Sequence, residues 1–196
     1  MPVELMKNFY QTTSADAYIH MTIALHCAPF LKGIKHSALL VLKPEDARIM
    51  GKTLSRMNAK CKTMYRNREK IILLLYRETE MKAMLKEKTV AGFLKKYGYE
   101  EAENLDKILD FLINRFQSAY GKRKEFPHEI GAFLGYPIED VEGFIENNGQ
   151  NSLLTGYWKV YSNRERAEKM FQRYDEAREL AICEVLEGKK FYEIAV

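Results

Sequence analysis

The sequence predicts an α+β fold, with α/β as the alternative: a mainly helical domain with a small mixed sheet of about four strands. Three observations lead there. Apolar residues recur at helical spacing in about eight segments. Two apolar runs, SALLVLK at Ser37 to Lys43 and KIILLLYR at Lys70 to Arg77, are unbroken and too short for helices. The order helix, strand, helix, hairpin, helices, strand, helix suits helices layered on a sheet.

Composition bounds the rest. The 196 residues are expected to form a single domain over 1–196, with a motif-bearing part at 126–196. Hydrophobic residues at 46% supply a real core, and charged residues at 30% carry no long single-sign tract, which argues against disorder. The net charge of +4 permits anionic partners without demanding them. Three well-separated cysteines, Cys27, Cys61 and Cys183, form no CxxC pair, so a reducing compartment is expected. The start, MPVELMKNFYQTTS, has no apolar signal core, and the run Ile71 to Tyr76 is too short to span a bilayer. A cytoplasmic location without membrane contact follows as the expectation.

In order, Val3 to Tyr10 reads as a short helix. Ser14 then caps a helix over Ala15 to Cys27, with Pro29 and Gly33 closing it and a loop at Ala28 to Lys35. The buried strand Ser37 to Lys43 follows. Pro44, Glu45 and Asp46 suit a helix start, and Ala47, Met50, Leu54 and Met57 mark its face. A hairpin pairs Lys62 to Arg66 with Lys70 to Arg77 about Asn67. Its second strand is apolar on both faces and should be central. Helices come next at Thr79 to Lys86, from Thr89 to Tyr97 with Gly98 as its stop, and from Asn104 through the stripe Leu105, Ile108, Leu109, Leu112 and Phe116 to a polar GKRKE loop.

The stretch Phe126 to Tyr161 is the densest part. It carries five of the eleven glycines and the only tryptophan. It reads as a helix over Pro127 to Leu134 stopped by Gly135, then a second from Pro137 through Glu146 with Ile138, Val141, Phe144 and Ile145 inward. A loop leads to an alternating strand, Tyr157 to Tyr161. Asn163 caps a long last helix packing through Ala167, Met170, Phe171, Tyr174 and Ala177.

FPHEIGAFLGYPIEDVEGFIENNG followed by GYWKVY resembles the signature of the DUF3793 family, a bacterial family of uncharacterised function. HCAPFLKGIKHSALLVL at 26–42, KIILLLYR and the helical block ending at Tyr99 agree with it, so the resemblance covers nearly the whole chain. Where the family tends to read KPA this chain has Lys35, His36 and Ser37, so it departs at the last two. No role is assigned to that loop. The resemblance implies a bacterial source and supplies no reaction, ligand or partner.

Candidate chemistry comes from the residues themselves. His128 and Glu129 could act as base and orienter or as metal ligands, although His128 begins no HExxH motif; helix-end roles explain them more simply. His26 and Cys27 could bind a metal or supply a thiol, against a plain apolar cysteine in a helix end. Gly131 and Gly143 lie inside helices at a cost of roughly 1 kcal/mol each, so something packs close to them, either the chain itself or a ligand. IGAFLGYPIEDVEGFI has a helix-turn-helix outline, but its exposed positions, Glu139, Asp140, Glu142 and Glu146, would repel phosphates. Nucleic acid is therefore disfavoured, and would fall to the basic run Lys52, Arg56, Lys60, Lys62, Arg66 and Arg68. Trp158 and Val160 should share a buried face, leaving Tyr157, Lys159 and Tyr161 on the other as a platform for a planar ligand or an ordinary amphipathic strand.

The expected function is a non-enzymatic module that binds a small ligand or a protein partner through His128, Glu129, Tyr136, Tyr157, Trp158 and Lys159. The alternative is a metal- or redox-linked enzyme using His26, Cys27, His128 and Glu129. No cofactor, metal or reaction is assigned from the sequence.

Overall fold

A computed structural model describes residues 14–99, 104–119 and 126–196. The expected helix at Val3 to Tyr10 and the GKRKE loop lie outside the described residues.

Helix α1 spans Ala15–Leu31, with Ser14 Oγ accepting from the Ala17 amide. It runs through Pro29 rather than ending before it. An interior proline costs about 3 kcal/mol. Burying Phe30 and Leu31, both fully inaccessible and each worth about 1.5–3 kcal/mol, offsets that cost. The stop is Gly33, at φ +68°. The Pro29 carbonyl accepts from the Ile34 and Lys35 amides, and the buried Arg77 donates to the Phe30 carbonyl at 2.7 Å.

Strand β1 (Ser37–Leu42) leads to α2 (Arg48–Thr53), a 3₁₀ turn and β2 (Lys60–Arg66). A hairpin about Asn67, whose side chain accepts from the Glu69 and Lys70 amides, returns as β3 (Ile71–Tyr76). The strand order is β1-β3-β2, antiparallel throughout. All six residues of β3 are buried, so it is the central strand, as its two apolar faces require.

The sheet is covered on both sides. Ala38, Leu40, Leu42, Ile71, Leu73 and Leu75 pack with α1 and with the end of the last helix, α8 (Arg164–Leu186). Met64, Ile72, Leu74 and Tyr76 pack with α3 (Glu78–Leu85), α4 (Lys88–Lys95), α5 (Leu105–Ala119), α6 (Ile130–Phe133) and α7 (Ile138–Glu146). Helix α4 begins at Lys88 with Glu87 at its cap position and no side-chain cap bond, so Thr89 is not the cap. Asn104 does accept from the Asp106 amide, and Asn163 from the Arg166 amide.

Two further strands, β4 (Leu154–Thr155) and β5 (Lys159–Val160), form a separate antiparallel hairpin. The fold is thus α+β, with eight α-helices and five strands among the described residues, the strands in two antiparallel sheets rather than one mixed sheet. None of the described helices is long and apolar enough to cross a membrane.

Candidate functional site

The 126–161 region is built on two turns. Gly135, at φ +73°, ends α6, and the Tyr136 amide returns to the Gly131 carbonyl at 3.0 Å. Pro137 then opens α7. Asn148 and Gly149, both at positive φ, end α7 and release the chain into the β4–β5 hairpin.

Asp140 locks hairpin to helix. It is 2% exposed, which overturns its expected place on an acidic outer face. Its Oδ2 accepts the Trp158 indole N–H at 2.7 Å. Its Oδ1 accepts the Tyr161 amide at 2.8 Å, the Ser162 amide at 2.9 Å and the Ser162 hydroxyl at 2.8 Å. Four donors compensate a carboxylate that would otherwise be costly to bury. Asp140 lies three residues before Gly143, which with Gly131 is one of the two glycines inside the helices of this region.

Those glycines face the protein's own chain. A Cβ on Gly143 would stand 2.5 Å from Tyr161 Cβ, and one on Gly131 would stand 2.8 Å from Val141 Cγ2. Packing answers the question that their positions posed.

Around this lock lies a pocket of about 300 Å³, walled by His128, Tyr136, Phe144, Trp158 and Lys159. Tyr136 and Trp158 stack at 5.3 Å and 26° and form one wall. The His128 and Phe144 rings meet at 4.9 Å, one helical turn along α7 from Asp140. The Lys159 ammonium donates to the Gly149 carbonyl at 2.5 Å, beside Phe144. A larger groove of about 640 Å³ shares Tyr136 and Trp158 with it and runs toward α3, α4 and the start of α8.

Four of the six expected ligand residues therefore line one pocket: His128, Tyr136, Trp158 and Lys159. Glu129 does not line it. Glu129 is 1% exposed, and accepts from Arg115 Nε at 2.5 Å and from the Tyr99 hydroxyl at 3.2 Å. That carboxylate raises the Tyr99 phenol, after burial itself. Tyr157 points toward α8, where its hydroxyl donates to Asp175 at 2.9 Å and its ring meets Tyr174 at 4.9 Å. Trp158 and Val160 are buried as a pair, as their alternation implied.

His26 and Cys27 diverge. His26 is exposed, while Cys27 lies in the core between α1 and the sheet, its thiol pushed up to about 12 by burial. Among the described residues, no three His, Cys, Asp or Glu side chains gather as a metal set. The basic run is divided too: Lys60 pairs with Glu78, Lys62 with Asp106 and Asp110, and Arg56 lies over the Tyr192 ring. The Lys52 side chain lies outside those described.

The loop left without a role sits beside the site. Lys35 Nζ stands 5.0 Å from the Tyr136 ring centroid and 5.8 Å from that of Tyr174, and burial lowers its ammonium to about 8. His36 packs against Gly135, with Nε2 2.9 Å from the Phe133 carbonyl, which also accepts from Ser37 Oγ at 2.6 Å. Burial lowers the His36 imidazole below its ordinary value.

The fold and site define an α+β protein with a mainly apolar pocket framed by a buried carboxylate. The family model described as "Protein of unknown function (DUF3793)" matches residues 23–195, and the chain belongs to that family. Neither a curated protein nor a solved structure matches it.

Proposed function

We propose that the chain is a non-enzymatic binding module holding a small, mainly apolar molecule in the His128–Trp158 pocket. The observation that carries this reading is the stacked Tyr136–Trp158 wall, preset by the Asp140 bond to Trp158. A concave apolar cleft with few convergent polar groups is the usual form of a small-molecule site. Its volume of about 300 Å³ suits a small molecule better than a flat protein surface. A wall held by buried hydrogen bonds also loses little freedom on binding.

The metal- or redox-linked alternative has less support, because His26, Cys27, His128 and Glu129 face four different surroundings. Nucleic-acid binding has less still, because Lys60 and Lys62 are already paired with carboxylates.

Trp158 is the only tryptophan, so its emission reports on this pocket and on the groove that shares its ring. A library of small aromatic and aliphatic compounds, screened by Trp158 fluorescence and by thermal shift, tests the reading. Saturable quenching with a matching rise in Tm is expected. The absence of any saturable ligand among flat molecules that fit the pocket would overturn it.

A further inference from the structure

The pocket has two chemically different ends. At one end are the Tyr136 and Trp158 rings and the Asp140 carboxylate, whose two oxygens already serve four donors. At the other end His128 and Lys159 flank Phe144. The His128 ring lies 4.9 Å from the Phe144 ring, and Lys159 Nζ bonds the carbonyl of Gly149, the residue against which Phe144 packs.

At this second end the Lys159 ammonium only donates, and the His128 imidazole can donate through a ring nitrogen. A lysine ammonium has three N–H bonds, and the Gly149 carbonyl takes one, leaving two for another acceptor. His128 shows ring contacts with Phe126 and Phe144, and no hydrogen bond to a described residue. No carboxylate pairs with Lys159 among the described residues. A half-buried ammonium next to an apolar cavity, with donors unused and no counter-ion, is matched by an anionic acceptor.

Resting on the pocket reading above, we infer that the ligand is a planar, mainly apolar anion, of the aryl or heteroaryl carboxylate class. Its ring lies along the Tyr136–Trp158 wall. Its carboxylate meets Lys159 and His128. The stacked wall admits a flat body by offset stacking, and the Asp140 carboxylate, itself anionic and one helical turn from Phe144, repels a second anion beside it and so sets the orientation.

Paired probes that differ only in charge test this: indole-3-carboxylate and the neutral indole-3-carboxamide, titrated by calorimetry into the full chain and into Lys159→Met. A charge-assisted contact in a partly desolvated site is worth about tenfold or more in affinity. The carboxylate is expected to bind at least about tenfold tighter than the carboxamide. Raised salt should narrow that gap by weakening the carboxylate alone. Lys159→Met should close the gap by weakening the carboxylate far more than the carboxamide, and Lys159→Arg should restore most of it. Equal binding of both probes to the native chain would overturn the anion assignment and leave the pocket reading standing. Binding of neither would overturn both. The salt series on the native chain decides the matter even where Lys159→Met fails to fold.

Discussion

Asp140 accepts the indole N–H of Trp158 at 2.7 Å across 18 residues of sequence, and this bond fixes the hairpin that walls the pocket onto α7. The same carboxylate holds the Tyr161 and Ser162 amides. Asp140→Ala leaves the indole and two amides without their acceptor, at about 1–3 kcal/mol for each donor that stays buried. A net loss of about 3–5 kcal/mol is expected from denaturant unfolding, with a red shift of Trp158 emission in the folded protein. Asp140→Asn keeps one acceptor oxygen and should fall between.

Two helical glycines should respond with opposite signs. Gly143→Ala drives a methyl to within 2.5 Å of Tyr161 Cβ, an atom fixed to the backbone, and overpacking of this kind costs about 1–3 kcal/mol. Gly92, in α4, has nothing within 4 Å of the same position, so Gly92→Ala should stabilise by about 0.5–1 kcal/mol through lost chain entropy. Midpoints from urea unfolding of the two variants check the pair.

The thiols should separate by burial. Cys27 is fully buried with its thiol pushed up to about 12, Cys61 is half-buried and also raised, and Cys183 is exposed. At pH 8 iodoacetamide should label Cys183 first, Cys61 more slowly, and Cys27 only after denaturation. Peptide mass mapping over time reads the order. Cys27 labelled as fast as Cys183 in the folded chain would contradict the placement of α1.

Glu78 should make a pH-dependent contribution. Hydrogen bonds from Lys60 and Lys82 hold its carboxyl down to about 2. A folded value below the unfolded carboxylate value of about 4.3 contributes stability that is present above that value and is lost as pH falls toward 2. The Tm difference between the native chain and Glu78→Gln should thus be open at pH 7, narrow below about 4.3 and close near 2. It should also shrink in high salt, since the pair is exposed.

Much of the fold was legible because its signals are local. The α5 stripe, the Asn104 and Asn163 caps, the glycine stops at Gly98 and Gly135, and the two-faced apolar run of β3 depend on spacing and backbone preference within a few residues. The local signals also misled. Pro29 reads as a helix end until the burial of Phe30 and Leu31 is known, and Thr89 reads as a cap although the helix starts before it. Among the expected ligand residues, His128, Tyr136, Trp158 and Lys159 were picked out by their chemistry within a stretch dense in aromatics and glycines, without any indication that they line one pocket.

The chain's own pattern was enough to establish an α+β fold and a central β3, and it singled out 126–161 by composition. Which side chains meet was settled by packing. Glu129 and Asp140 are both acidic residues at helix starts, and nothing in their spacing tells them apart from surface acids. Each is buried because its donors arrive from elsewhere: Arg115 and Tyr99 from before α6, and Trp158, Tyr161 and Ser162 from 18 to 22 residues beyond Asp140. A buried carboxylate is stable only where donors converge on it, and convergence across turns is a property of the folded chain. The same reason separates His128 and Lys159, which face the pocket, from Tyr157, which the bond to Asp175 carries to α8.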